Sequence, residues 1–302
     1  MPSVANRLRN HLGRQKRGSL GGMLNKEEET KAWCRPLFRW AGSKRALLPT
    51  LLKCAPNSYQ RYIEPFAGSA CLFFAMNPQE AILSDFNAEL MRTYQVILRH
   101  PRQVARRLAA LPDTEATYYY LRSLVPHFLG SISRAVRFYY LNRYCFNGVY
   151  RTDRRNRFNV PRGDRPGLPL TESEVYRCSV ALRRATLMTS DFEETVSLAR
   201  RNDFVYLDPP YSTVVRPAYG EYGYGAFAPS DVSRLISALN TLSKQGVQVL
   251  LSYAGDRAVL DALKQWSVVS IDVRRQVGGG QRNMKAVEIL ASNYIDLPLL
   301  AV

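Results

Sequence analysis

Short apolar runs and amphipathic segments follow one another along most of the chain. Apolar runs of strand length end at polar or small residues, and they are Tyr62–Ile63, Ala81–Leu83, Thr186–Met188, Phe204–Leu207 and Val247–Leu251. Segments with helical spacing lie between them, and they are Cys71–Met76, Ala88–Arg99 with Asn87 as its cap, a helix opened by Pro101, Asp231–Ser243 and Arg257–Lys264. Strands that alternate with helices predict a parallel α/β sheet.

Three segments depart from this alternation. Residues 1–33 are basic and interrupted by glycines, which predicts a disordered tail. Residues 112–184 are rich in Tyr and Arg and lack strand repeats, so they predict an insertion between the two parts of one sheet domain, 34–111 and 185–302. The last stretch, Val268–Val277 followed by Ala286–Tyr294, predicts an antiparallel hairpin at the end of the sheet.

The charge of the chain predicts the kind of partner that it binds. The chain has 42 Lys and Arg against 25 Asp and Glu, a net charge of +17 and a pI of about 9.9. Twelve arginines and four acids lie between Arg134 and Arg184, so this segment has an excess of +8. Basic charge concentrated in one segment predicts a binding face for a polyanion, of which nucleic acid is the commonest. No apolar run reaches the roughly 18 residues of a membrane span, and no membrane partner is predicted.

Cysteine and histidine spacing argues against disulfide and metal chemistry. The five cysteines are an odd number without a CxxC pair, and the three histidines are far apart in the sequence. We therefore predict buried, reduced thiols, as in a cytoplasmic protein, and no metal site.

The segment Glu64–Ala70, with the sequence EPFAGSA, follows the first predicted strand. Small residues at a strand-to-helix turn let a ligand approach the backbone at the carboxyl edge of the sheet. Asp85 ends the next strand, where a carboxylate can accept the hydrogens of both ribose hydroxyls. Because no GxGxxG pattern is present, a nucleoside ligand without a pyrophosphate fits this arrangement.

Two further motifs contain groups suited to a planar base. In Phe204–Tyr211, with the sequence FVYLDPPY, the carboxylate of Asp208 and the carbonyl of Pro209 provide two acceptors beside the ring of Tyr211. Two acceptors and an aromatic ring suit an exocyclic amine on a planar base. In Phe38–Lys44, with the sequence FRWAGSK, Trp40 can stack on a cofactor adenine and Lys44 can contact a polar or anionic group.

Together these motifs resemble the Dam-type DNA adenine-N6 methyltransferases, which use S-adenosylmethionine. The resemblance extends from about Pro36 to Tyr294 and includes the order FRWAGSK, EPFAGSA, insertion and DPPY. It implies an α/β fold with a Rossmann-like methyltransferase sheet, a C-terminal antiparallel hairpin and a mostly helical DNA-recognition insertion. Within the insertion, Leu141–Arg151 and Arg157–Gly163 are similar to the target-recognition segment of the family. Ser43 and Ala70 stand where the family often has other small residues.

The resemblance also implies roles for individual residues. Those near the cofactor are Trp40, Lys44, Glu64, Phe66, Gly68, Asp85, Asp191, Phe192 and Asp208. Within this set, Glu64 and Gly68 line the methionine part, Asp85 binds the ribose, and Trp40, Asp191 and Phe192 lie at the adenine. Those expected to hold and activate a flipped target base are Asp208, Pro209, Pro210 and Tyr211.

DNA contacts are expected from the insertion and from the first motif. By resemblance Arg151 reads a guanine, Val149 and Pro161 contact thymine methyl groups, and Arg39, Lys44 and Asn147 are further DNA-binding residues. The arginines expected to meet phosphates are Arg154, Arg155 and Arg157.

The expected activity is methyl transfer to the N6 amino group of adenine in a short double-stranded DNA site, GATC or a related sequence. Methylation of RNA, methylation of cytosine N4 and a non-catalytic DNA-binding regulator on the same fold stay open as alternatives. The resemblance further implies a monomeric, cytoplasmic protein of bacterial or phage origin, and it leaves open whether a restriction nuclease accompanies it.

Overall fold

A computed structural model describes residues 34–153, 155, 157–164, 169–210, 227–254, 257–276 and 283–297. The basic tail 1–33 and two residues with predicted roles, Arg154 and Tyr211, lie outside the described residues. Their expectations stay predictions.

Within the described residues, seven strands form one mixed sheet. In chain order they are β1 (Tyr62–Glu64), β2 (Ala81–Asp85), β3 (Ala185–Thr189), β4 (Phe204–Leu207), β5 (Gln248–Ala254), β6 (Ser267–Gln276) and β7 (Asn283–Ser292). The spatial order is β3-β2-β1-β4-β5-β7-β6. The first five pair in parallel, and β7 pairs antiparallel with both β5 and β6. The structure therefore confirms the α/β sheet and its C-terminal hairpin.

Helices separate these strands and build the insertion. They are α1 (Leu48–Cys54), α2 (Cys71–Met76), α3 (Ala88–Arg99), α4 (Pro101–Ala109), α5 (Glu115–Ser123), α6 (Ser131–Tyr144), α7 (Glu172–Leu182), α8 (Phe192–Val196), α9 (Pro229–Lys244) and α10 (Arg257–Ala262). The helices α5, α6 and α7 lie within the predicted insertion 112–184. Among the described helices, none combines the length and the apolar character that crossing a membrane requires.

Helix ends follow local signals, and two helices were not anticipated. The side chain of Asn87 accepts a hydrogen bond from the amide of Leu90 and caps α3 as predicted. The unanticipated helix α1 has a proline in its first turn, where its missing N–H costs nothing. The unanticipated helix α8 begins after Asp191, whose carboxylate accepts the amide of Glu193. Asp191 is thus a helix cap that follows β3, whose last residue is Thr189.

The core lies on both faces of the sheet. Tyr62 of β1 belongs to an apolar cluster that includes residues of α2, α3 and α6, whereas Ile63 belongs to one that includes residues of α9. This alternation follows from the period of two along a strand. A smaller cluster joins α5 and α6 to the segment around Phe158. Because α6 also contributes to the main core, this helix anchors the insertion to the sheet.

Candidate active site

A cavity of about 730 Å³ opens at the carboxyl edge of the parallel strands. The described residues predicted for the cofactor and for catalysis all line it, and they are Trp40, Lys44, Glu64, Phe66, Gly68, Asp85, Asp191, Phe192, Asp208, Pro209 and Pro210. Tyr150 and Thr152 of the insertion also line it. The topology explains this convergence, because parallel strands place the residues at their carboxyl ends along one edge of the sheet.

The turn after β1 brings Gly68 against the ring of Trp40. Gly68 has a φ of +46°, a conformation that favours glycine, and a Cβ added there would lie 2.7 Å from Cδ1 of Trp40. Trp40 also stacks on Tyr150, with ring centroids 6.0 Å apart and planes 17° apart. Trp40 therefore links the turn to the insertion at the cleft. Its expected contact with a cofactor adenine stays a prediction.

Replacing Gly68 with Ala should destabilise the fold by about 1–3 kcal/mol, because the new Cβ meets Trp40 and the backbone is left-handed. Gly130→Ala is the matched control, since no atom lies within 4 Å of its added Cβ. The control should change the free energy of unfolding by less than about 1 kcal/mol. Chemical denaturation of both variants measures the difference, and equal stabilities would contradict the steric argument.

Asp85 lies at the end of β2 and is bound by the turn. Its Oδ2 accepts the amide of Gly68 at 3.0 Å, and its Oδ1 accepts the amide of Asn87 at 2.8 Å. Burial raises the pKa of Asp85 to about 6, against the opposing effect of these two hydrogen bonds. The carboxylate is thus oriented towards the cavity by the backbone.

Glu64 is a buried carboxyl group in the floor of the same cavity. The hydroxyl of Tyr62 donates to its Oε2 at 2.9 Å. Burial raises the pKa of Glu64 well above its ordinary value, the Tyr62 hydrogen bond opposes this, and the Asp208 and Asp85 carboxylates add to the rise. A group with these properties is suited to receive a cation, which would restore its ionised form.

An aromatic platform forms the opposite part of the cleft. Phe66 and Phe192 stack with centroids 5.3 Å apart, and the guanidinium of Arg234 lies 4.8 Å from the Phe192 centroid. Arg234 also contacts Asp191 at 2.5 Å and Asp231 at 2.7 Å. The hydrogen bond to the Glu193 carboxylate, followed by those to Asp231 and Asp191, raises the pKa of Arg234. Sequence reasoning missed Arg234, because its place in the cleft depends on how α9 packs beside α8.

Lys44 reaches Asp208 from the segment before α1. Its Nζ lies 2.5 Å from Oδ1 of Asp208, 3.0 Å from Oε1 of Glu288 and 3.1 Å from the carbonyl oxygen of Gly42. The side chain is only 6% exposed. An ammonium group has three donors, and these acceptors direct them into the protein. This geometry places Lys44 beside the carboxylate predicted to act on the target base, and the expected DNA contact of Lys44 stays a prediction.

The serine of FRWAGSK has a local partner. The hydroxyls of Ser43 and Ser69 lie 2.9 Å apart and connect the first motif to the turn after β1. Ala70, in the same turn, has a φ of +49°, which is unusual for a residue other than glycine. The departures from the family pattern thus lie next to the cleft and preserve its small side chains.

The two insertion segments that resemble the target-recognition region pair with each other. The amide of Phe146 donates to Pro161, and the amide of Gly163 donates to Tyr144. Single antiparallel bridges link Cys145 to Arg162 and Thr152 to Phe158. The two segments therefore form one loop unit beside the mouth of the cleft, where Tyr150 and Thr152 reach the cavity.

The predicted DNA-binding residues of this loop unit differ in exposure. The exposed side chains are those of Asn147, Arg151 and Pro161, whereas Val149 is half-buried. The Nε of Arg151 donates to Oδ1 of Asn159 at 2.9 Å, which orients the guanidinium. Their contacts with bases stay predictions.

Arg39 is partly anchored to α6. Its backbone amide donates to Asn142 at 3.0 Å, and its Nη1 donates to the carbonyl of Arg143 at 3.1 Å. Burial lowers the pKa of Arg39, and the neighbouring Arg143 adds to this. Arg39 therefore connects the first motif to the insertion, and its expected base contact stays a prediction.

Comparison with known proteins agrees with this geometry. The model of the D12 class N6 adenine-specific DNA methyltransferases matches residues 40–277 of this chain. The matched region contains the three motifs from Trp40 onwards and the whole insertion.

Individual relatives match over most of their own length. The type II methyltransferase M1.LlaDCHI of Lactococcus lactis subsp. cremoris is 32% identical over 282 residues, which are 90% of this chain and 99% of that protein. The retron Ec67 DNA adenine methylase of Escherichia coli is 28% identical, with 84% of this chain and 90% of that protein covered. The DNA adenine methylase of Salmonella typhi is 29% identical, with 86% and 95% covered.

Proposed function

The chain belongs to the D12 class N6 adenine-specific DNA methyltransferase family and is an adenine-specific DNA methyltransferase, EC 2.1.1.72, and on this premise we propose how its cleft divides the reaction among its residues. One part of the cleft, around Asp85 and Phe192, binds S-adenosylmethionine. The other part, around Asp208, receives the target adenine. The observation that carries the proposal is that Asp85 and Asp208 line one continuous cavity.

The residues of the cleft fit S-adenosylmethionine, the methyl donor that the family implies. When bound, this cofactor supplies a methyl group activated by a sulfonium. Its ribose hydroxyls match the acceptor Asp85, its adenine matches the apolar faces of Phe66 and Phe192, and its ammonium matches the buried Glu64. The cavity volume of about 730 Å³ lies within the ordinary range for a cofactor site.

Asp85→Asn should weaken the binding of S-adenosylhomocysteine about tenfold to a hundredfold, because a hydrogen bond to a charged acceptor contributes roughly 1.5–3 kcal/mol. The wild-type affinity should fall as the pH decreases through about 6, since protonation removes the negative acceptor. That component of the pH dependence should be missing from Asp85→Asn. Calorimetric titration between about pH 5 and 8 tests both points. Asp261→Asn, at an exposed position of α10, is the control, and equal affinities would reject the ribose role.

Asp208 acts on the amino group of the target base. The base must leave the helical stack to reach the cleft, which costs a few kcal/mol. Asp208 and the Pro209 carbonyl accept the two amine hydrogens and direct the nitrogen lone pair towards the donor methyl group. Positive charge develops on the nitrogen during transfer, and the Asp208 carboxylate stabilises it where it appears. The two prolines keep this loop stiff, because their φ angles are restricted.

The insertion selects the DNA site. Its exposed arginines supply the positive surface for the phosphates, and Arg151, oriented by Asn159, reads a guanine in the major groove. We expect GATC or a related short sequence as the target. Methylating a plasmid of known sequence, followed by sequencing that detects N6-methyladenine, identifies the site. Methylation without a consensus would contradict site-specific recognition.

The family match favours this activity over the other candidates. Members are described as acting on N6 of adenine in DNA, which disfavours RNA, cytosine N4 and a non-catalytic regulator. The same assay distinguishes them, because each would leave the DNA adenines unmodified.

A further inference from the structure

A buried acid interrupts the apolar strand β7. Glu288 lies between Val287 and Ile289, and it is only 3% exposed. A carboxylate in such a place is costly unless it is paired and hydrogen-bonded. Neither the motifs of the sequence nor the family description gives Glu288 a role, so the reason for its burial must be found in its contacts.

Among the described residues, Ser252 and Lys44 both contact one carboxylate oxygen of Glu288. Its Oε1 accepts the hydroxyl of Ser252 at 2.6 Å and lies 3.0 Å from Nζ of Lys44. Ser252 is completely buried. The same Nζ lies 2.5 Å from Oδ1 of Asp208. A chain of short polar contacts thus runs from Ser252 through Glu288 and Lys44 to the carboxylate of Asp208.

The sheet order explains how a C-terminal residue reaches the catalytic motif. Asp208 follows β4 directly, and Ser252 and Ala254 lie at the corresponding end of the neighbouring strand β5. Glu288 pairs in register with Ala254 on β7. Because β7 runs antiparallel to β5, its Glu288 lies at the edge of the sheet where β4 and β5 end. The closing hairpin therefore supplies part of the active-site floor.

This arrangement shares one cation between two carboxylates. Lys44 contributes one positive charge, whereas Asp208 and Glu288 contribute two negative charges. Among these three groups the two carboxylates outnumber the ammonium group, in surroundings where electrostatic interactions are stronger than in water. With Glu288 present, the ammonium group is held at a position between both acids, and its charge does not neutralise Asp208 alone.

We propose that Glu288, supported by Ser252, is a positioning residue for methyl transfer: it holds Lys44 so that Asp208 keeps its orientation and its net negative field towards the target amine. This inference rests on the proposed role of Asp208 at the amine. Removing the charge of Glu288 leaves Lys44 to neutralise Asp208, which raises the barrier for a step in which positive charge develops on nitrogen. The effect belongs to the rate of transfer and not to the binding of either substrate.

Glu288→Gln and Glu288→Asp separate charge from packing. Gln keeps the size of Glu and loses the charge, whereas Asp keeps the charge and loses one methylene group. A charge role predicts a higher turnover number for Glu288→Asp than for Glu288→Gln. A packing role predicts the reverse order, because a buried methylene is needed to fill space.

The experiment measures single-turnover rates with saturating S-adenosylmethionine and duplex DNA, together with binding of S-adenosylhomocysteine and DNA and the melting temperature. Glu288→Gln should lower the rate at least about tenfold while both affinities stay within about twofold of wild type. Glu174→Gln is the matched control, since it removes a 3.2 Å ion pair with Arg35 outside the cavity. The control should leave the rate unchanged.

A Glu288→Gln rate within about twofold of wild type would overturn the proposal, as would a Glu288→Asp rate below that of Glu288→Gln. If Glu288→Gln does not fold, Ser252→Ala provides the test. It removes only the supporting hydroxyl, so it should lower the rate without weakening either affinity, and an unchanged rate would overturn the proposal.

Asp208→Ala, measured in parallel, separates this inference from the proposed function. Retained activity in Asp208→Ala rejects the catalytic role itself, whereas an inactive Asp208→Ala with unaffected Glu288 variants rejects the inference alone.

Discussion

Asp208→Ala should abolish methyl transfer and leave duplex binding largely intact. The carboxylate is predicted to accept an amine hydrogen and to stabilise the positive charge that develops on nitrogen. Loss of one such preorganised group lowers turnover by at least about a hundredfold. Binding of DNA is proposed to depend on the basic surface of the insertion, which this substitution does not touch. Transfer of a labelled methyl group at saturating cofactor measures the first effect, and a gel-shift titration measures the second.

Two companion variants make this test specific. Asp208→Asn keeps the shape of the side chain and removes its charge, so it should also be strongly impaired if the charge matters. Asp261→Ala removes an exposed carboxylate of α10 that contacts Lys264, and it should retain full activity. If Asp208→Ala keeps a substantial fraction of wild-type turnover, the carboxylate is not part of the chemistry and the proposed mechanism is wrong.

Arg151→Ala should relax specificity at one base pair of the target site. A bidentate contact between arginine and guanine discriminates against other bases by about 1–3 kcal/mol, which corresponds to roughly 5- to 150-fold in relative rate. The structure adds a positioning partner, because the side chain of Asn159 accepts the Nε–H of Arg151. Asn159→Ala should therefore reduce discrimination at the same base pair, by a smaller factor.

Arg155→Ala is the control for a general electrostatic effect. Arg155 is exposed and lies in the charged part of the same loop unit. Its loss should weaken binding to all sequences alike and lower the salt slope by about one unit. The measurement is the methylation rate of a set of duplexes in which each position of the site is varied in turn. If Arg151→Ala lowers the methylation rate equally on every duplex and keeps full discrimination, Arg151 is a phosphate contact.

Much of the fold follows from signals that are local in the sequence. The strand before Glu64 and the cap at Asn87 are encoded by neighbouring residues, and the structure has both where they were expected. Residues proposed for the cofactor, such as Asp85, stand out in the sequence for the same reason, since each directly follows or ends an apolar strand. The helix α1 was not predicted, because its amphipathic pattern is short and is obscured by the apolar residues around it.

Contacts between distant segments could not be predicted from local sequence signals. Lys44 and Asp208 are separated by 164 positions, and nothing near Lys44 indicates whether its ammonium meets DNA or a buried acid. Only the folded structure shows that Lys44 is buried and meets two carboxylates, and an ammonium group removed from water requires such anionic partners. The same applies to Arg234, whose cluster of carboxylates exists only when α9 packs beside α8.

The sequence by itself determined the order of the elements, the family and the residues at the strand ends, because these depend on short-range patterns and on motifs of adjacent residues. The tertiary structure alone decided which charges meet. It placed Glu288 of the antiparallel strand β7 at the edge of the sheet where β4 and β5 end, and it placed Lys44 between the buried Glu288 and the partly buried Asp208. The physical reason is that the energy of a charge depends on its solvation and its neighbours in space, which only the folded sheet brings together.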